Sequence, residues 1–111
     1  MPAPFVFFDL RSTDVPTTRT FYEQLFGWKV TDTLITDQDG TPWGGVTALP
    51  PGDDRIPQWI PYVPVIDLDA ATQQATELGA TLLRPRTDLP QGSLTVISDP
   101  SGATLALWQS A

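Results

Sequence analysis

Two charged residues sit where charge is least expected. Asp9 and Arg11 lie inside the run Phe5-Val6-Phe7-Phe8-Asp9-Leu10-Arg11, which is otherwise aromatic and aliphatic. An acid in mid-strand among aromatic rings is disfavoured by propensity and costly to bury alone. Residues two apart on a strand share a face, so Arg11 is placed to pair with Asp9. An ion pair is therefore one reading. The other is chemistry, with Asp9 flanked by apolar groups and available as a general acid or base.

Few other residues compete for that role. The chain has no Cys and no His, which removes thiolate nucleophiles, disulfides and the commonest metal ligand. Acid–base work is left to carboxylates, Tyr, Lys and hydroxyls. Thirteen acidic residues against six basic ones give a net charge of -7. The basic residues are scattered, and a phosphate backbone would be repelled, so no nucleic-acid partner is expected. The acidity forms no block and reads as solubility.

These side chains must be positioned by elements the pattern makes legible. Phe5 to Arg11 alternates as a strand: Val6, Phe8 and Leu10 face a helix, while Phe5, Phe7, Asp9 and Arg11 face the other way, a mixture that suits a ligand. Asp14 is a good N-cap, with Pro16 in the first helical turn and Gly27 closing the helix. Phe21, Tyr22 and Leu25 recur at helical spacing and read as structural, as does Trp28. Extended structure is expected over 28–36, a turn at 37–40, and a strand over 41–49 interrupted by Gly44-Gly45. The plan then repeats. The strand-like run 59–65 leads to Asp67 as a second N-cap, to an apolar stripe of Leu68, Ala71, Ala75 and Leu78, and to Gly79. A strand over 80–84, a loop over 87–92, a strand over 94–98, a turn at 99–102 and a last strand over 103–109 complete it. The spacings from Asp14 to Asp67 and from Gly27 to Gly79 differ by a single residue, so the repeat holds its register.

Length and composition fit this plan. The 111 residues, 41% of them apolar, read as a single domain, 1–111, with a modest core. Module 1 spans about 4–49, a Pro-rich acidic linker about 50–56, and module 2 about 57–110. No apolar run approaches the ~20 residues of a membrane helix. Met1-Pro2-Ala3-Pro4 has neither a basic nor an apolar leader pattern, so no membrane partner and a cytoplasmic location are expected.

The chain resembles the vicinal oxygen chelate superfamily of glyoxalases, bleomycin-resistance proteins and extradiol dioxygenases. The matching residues are Asp14, Phe21-Tyr22, Leu25-Phe26-Gly27-Trp28, Asp39-Gly40-Thr41-Pro42, Val65-Ile66-Asp67-Leu68, Leu78-Gly79-Ala80 and Asp99-Pro100-Ser101-Gly102. The version with Trp28 and Trp59-Ile60-Pro61-Tyr62 is most similar to small glyoxalase-like proteins. The resemblance implies an α+β fold of two βαβββ modules, with sheets curving around a shared cleft and modules paired within a chain or across a dimer. It also implies metal ligands on first and last module strands. By spacing the first-strand positions fall on Phe7 and Ile60 and the last-strand positions near Gly44 and on Ala106, none of which can coordinate a metal. Metal-dependent glyoxalase or dioxygenase activity is therefore not expected, no residue is assigned to a metal, and no cofactor is expected.

If Phe7 faces the implied cleft, alternation brings Phe5, Asp9 and Arg11 with it. Ile60 and Tyr62 line the opposite side, Thr104, Ala106 and Trp108 come from the last strand, and Trp43 lies near the mouth. Such a lining suits a hydrophobic or aromatic ligand. Core packing for Phe5 and Phe7, and a dimer interface for Trp43, Trp59 and Trp108, are the competing readings. Arg84 and Arg86 read as solvated, with an anion clamp as the alternative. The expected function is metal-free binding of a hydrophobic or aromatic small molecule, such as an antibiotic or natural product, in an apolar cleft by a homodimer. The alternative is a metal-independent cyclase, isomerase or hydrolase of natural-product metabolism. There Asp9 would be the acid–base residue, with Arg11 or Tyr62 holding a carbonyl oxygen.

Overall fold

Each half of the chain runs strand, helix, three strands. In a computed structural model describing residues 4–31, 33–49 and 56–111, the first half comprises β1 (Phe7–Ser12), α1 (Val15–Phe26), β2 (Lys29–Thr31), β3 (Leu34–Thr36) and β4 (Pro42–Ala48). The second comprises β5 (Gln58–Pro64), α2 (Leu68–Glu77), β6 (Thr81–Leu89), β7 (Gly92–Ser98) and β8 (Thr104–Ser110). This is the α+β arrangement of two βαβββ modules. The linker assigned to 50–56 lies, apart from Ile56, outside the described residues. Two compact units form, one of Phe7–Ile60 and the other of Pro61–Ala111 with the residues before Phe7.

In the first unit the strand order is β2-β3-β4-β1, with β1 parallel to β4 and the other pairs antiparallel. Asp14 caps α1 by accepting from the Thr17 N–H, and Gly27 closes it at φ 73°, a left-handed position that costs glycine little. Val30, Ile35 and Val46 form the core, with Val15, Trp28, Trp43 and Trp59 packed against them. Tyr22 stacks on Trp28 at 5.4 Å between ring centroids, and Trp28 meets Trp43 edge-on at 4.8 Å. The helix thus rests on large rings rather than on its own aliphatic stripe. That corrects the structural role read for Phe21 and Leu25, which remain 55% and 58% exposed.

In the second unit the strand order is β5-β8-β7-β6, parallel between β5 and β8 and antiparallel elsewhere. Asp67 caps α2 by accepting from the Ala70 N–H. Leu68, fully buried, packs with Ile97 and Leu107, flanked by Ala71 and Ala75. Leu78 does not join that stripe: the helix ends at Glu77, and Leu78, as its C-cap, is 71% exposed. The loop expected over 87–92 is mostly strand, because β6 continues to Leu89 and turns into β7 with Leu89 opposite Gly92. Register shifts around Leu83 and Pro85 break the alternation that would have revealed it.

Candidate ligand-binding faces

In the first unit, Asp9 and Arg11 point away from α1 and are buried, at 4% and 5% exposure. The Arg11 Nε–H donates to Asp9 Oδ2 at 2.5 Å. Thr47, on β4, donates its hydroxyl to both carboxylate oxygens, at 2.9 and 3.0 Å to Oδ1 and Oδ2. The parallel β1–β4 register places Arg11 opposite Thr47 and Asp9 opposite Gly45. A Cβ on Gly45 would fall 3.2 Å from Asp9 Oδ1 and 3.3 Å from the Phe7 ring, so glycine leaves room for the carboxylate. Thr47 was not among the sequence candidates. Its only signal is a hydroxyl on the strand after Gly44-Gly45, and the cross-strand register that gives it meaning is a tertiary fact.

Half-buried Phe7 lies on this same face beside Gly45, and Ile60 is buried. Trp43 is on the other side. Between Ile35 and Thr36 the β3–β4 register slips by one residue, so that Ile35 pairs with Gly44 and Thr36 with Pro42. The extra residue is Trp43, which turns toward α1 and stacks on Trp59 at 6.2 Å. The indole N–H of Trp59 donates to the Tyr22 hydroxyl at 3.2 Å. Alongside α1 runs a groove of about 470 Å³, walled by Leu10, Phe21, Tyr22 and Trp59 and rimmed by Ser12 and Thr17. Of the candidate ligand residues only Arg11 is among the groove's lining residues, as part of the run Leu10–Asp14, while the arginine side chain turns to Asp9 on the other face. Its rim is largely self-satisfied: Ser12 pairs with Thr18, and Thr17 with Asp14.

In the second unit, cross-strand partners define two rows on the face turned away from α2. Tyr62, Ala106, Val96 and Arg84 form one row across β5, β8, β7 and β6; Pro64, Trp108, Leu94 and Thr87 form the next. The Tyr62 and Trp108 rings lie 5.9 Å apart, tilted by 40°. Ala106, Val96 and Leu94 are a buried apolar floor, while Trp108, Thr104, Thr87 and Arg84 are half-buried. Phe5 is 37% exposed.

Arg86 faces the opposite way. Its guanidinium bonds Asp69 of α2 at 3.0 Å and Asp88 at 2.9 Å. The Asp88 hydrogen bond, with Asp69 second, raises the Arg86 pKa above its ordinary value. Asp88 is held below the ordinary carboxylate range, first by the Ser93 hydroxyl and then by Arg86. Asp99 is lowered as well, by the Ser101 hydroxyl and the Ala103 N–H within the β7–β8 turn.

The metal centre associated with this fold does not fit these residues. Phe7, Gly44, Ile60 and Ala106 carry no coordinating side-chain atom. Among the described residues no three of His, Cys, Asp and Glu come together. The nearby carboxylate, Asp9, is committed to Arg11 and Thr47.

Residues 5–108 match the family model of the glyoxalase-like domain. The chain belongs to the glyoxalase-like family. Among curated relatives, "Putative glyoxylase CFP32" of Mycobacterium tuberculosis (strain CDC 1551 / Oshkosh) is 30% identical over 91% of this chain and 43% of its own length. The anthracycline biosynthesis protein DauV of Streptomyces sp. (strain C5) is 31% identical over 97% of this chain and 47% of its own. This glyoxalase-like chain therefore spans about half the length of the curated relatives it matches. Among solved structures, methylmalonyl-CoA epimerase of Mycobacterium tuberculosis superposes with a TM-score of 0.65 at 16% identity, covering 100% of this chain and 93% of that one. The Streptomyces coelicolor epimerase, in complex with 2-nitronate-propionyl-CoA, gives 0.64 at 16% identity, covering 98% of each chain. These likenesses establish the vicinal oxygen chelate fold.

Proposed function

We propose that this protein binds a hydrophobic or aromatic small molecule without a metal ion, on the second unit's sheet face bearing Tyr62, Ala106 and Trp108. The observation that carries the reading is the state of Asp9. A carboxylate that accepts from Arg11 Nε and from the Thr47 hydroxyl, at 4% exposure, is a structural strut. At 4% exposure, with both oxygens already accepting from partners that favour its charged form, it is poorly placed to take a proton from a ligand, which weakens the case for acid–base chemistry. The aromatic pair and its apolar floor supply what a binding surface needs, a shaped apolar wall with few polar groups. A second copy of the chain as partner is part of the proposal, motivated by relatives about twice as long.

The test is a thermal-shift screen with aromatic natural products, followed by recovery and mass analysis of each binder. Binders returned unchanged support the proposal. Turnover of a binder, abolished in Asp9→Asn with affinity kept, would establish the enzymatic alternative, which the anthracycline biosynthesis relatives favour. Elemental analysis of purified protein should find no stoichiometric divalent metal; one bound equivalent overturns the metal-free part.

A further inference from the structure

The alternation that would put Arg84 and Arg86 on one face is broken in β6. Arg84 pairs with Val96 and Thr87 with Leu94, so three residues of β6 span what two span on β7. The extra residue is absorbed at Pro85-Arg86, a location that suits proline, which has no N–H to offer the ladder. The bulge sends the two arginines to opposite faces. Arg86 bonds Asp69, Asp88 and Ser93 on the α2 side. Arg84 is half-buried on the other face, in line with Val96, Ala106 and Tyr62, and has no carboxylate partner among the described residues.

A half-buried arginine in register with apolar side chains, with no carboxylate partner among the described residues, is an incomplete arrangement. No described carboxylate neutralises its charge, and its donors match a carboxylate in a two-point geometry. Two strand spacings separate β6 from β8, which carries Trp108, so roughly 10 Å lies between the cationic end of this face and its aromatic end. We infer that Arg84 is the anion anchor of the ligand face, selecting an aromatic acid whose ring system lies toward Trp108 and Tyr62 and whose carboxylate meets the guanidinium. This rests on the binding reading above and adds to it a ligand class and a specificity-determining residue.

The experiment compares 2-naphthoate with the neutral isostere 2-naphthamide by titration calorimetry, on wild-type protein and on Arg84→Gln, Arg84→Lys and Arg86→Gln. Wild type should bind the acid about ten- to a hundredfold more tightly than the amide, the range of a hydrogen-bonded charge. Arg84→Gln should lose that preference while keeping its affinity for the amide. Arg84→Lys should retain part of it, and Arg86→Gln all of it. Equal binding of acid and amide by wild type, or an acid preference that survives Arg84→Gln, overturns the Arg84 assignment and leaves the binding reading standing. Binding of neither probe overturns both.

Discussion

Arg11 and Asp9 face each other across 2.5 Å on a buried strand surface, and Thr47 closes the arrangement from the neighbouring strand. A pair this far from water is held by its mutual completeness. Taking one member away exposes the cost of burying the other. Asp9→Ala should therefore destabilise the protein by about 3–5 kcal/mol, and Asp9→Asn by less, because an amide still accepts a hydrogen bond. Replacing both residues with apolar side chains should recover much of the loss. Urea unfolding of the two single variants and the double variant tests this. Additive single-variant losses would show that the two groups do not depend on each other.

Thr47 contributes one hydroxyl proton to this cluster, shared between two oxygens. Thr47→Val keeps the shape and removes the donor, so it should cost about 1–3 kcal/mol, while Thr47→Ser should be close to neutral. Equal losses in the two variants would point to packing rather than the hydrogen bond.

Gly44 is constrained by backbone rather than by side chains. A Cβ there would lie 2.7 Å from the Phe8 carbonyl oxygen, and a backbone carbonyl inside a paired strand has nowhere to go. Gly44→Ala should cost about 1–3 kcal/mol through overpacking, read as a lowered thermal midpoint. An unchanged midpoint would mean that β1 and β4 can separate locally at no cost.

Asp99 links the β7–β8 turn to pH. Its carboxyl accepts from the Ser101 hydroxyl at 2.6 Å and from the Ala103 N–H at 3.0 Å, and these bonds lower its pKa in the folded state. A depressed folded pKa means that the unfolded chain binds the proton more readily. The stabilisation is thus complete above the unfolded value of ~3.9 and fades as pH falls through the folded one. Carboxyl NMR titration should give Asp99 a midpoint below that value, and Ser101→Ala should move it upward. A midpoint unmoved by Ser101→Ala would remove the Ser101 hydroxyl as the leading cause.

Both helices and their caps were legible because their signals are local. Asp14 and Asp67 are N-caps in the structure as in the pattern, and Gly27 ends α1 at the left-handed position its type suggests. The Asp9–Arg11 contact was legible too, since two residues apart on one strand is also a local relation. Its burial and its third member were not. Thr47 lies 38 residues along the chain from Asp9, and only the parallel β1–β4 register brings its hydroxyl to the carboxylate. Leu25 and Leu78 were misread in the opposite direction. Each has the apolar spacing of a core residue, but bulky rings took the place of one and the helix ended before the other.

The sequence by itself determined the duplicated βαβββ plan, the N-caps of both helices and the glycine that ends α1. All of these follow from residue type and short-range spacing. Tertiary structure decided which way the side chains face. Alternation holds only while a strand keeps step with its partner; β4 slips by one residue beside Pro42, and β6 slips twice, between Leu82 and Arg84 and between Arg84 and Thr87. Those slips turned Trp43 toward α1 and set Arg84 and Arg86 on opposite faces. A bulge is a property of two strands together, which is why no reading of one strand alone contains it.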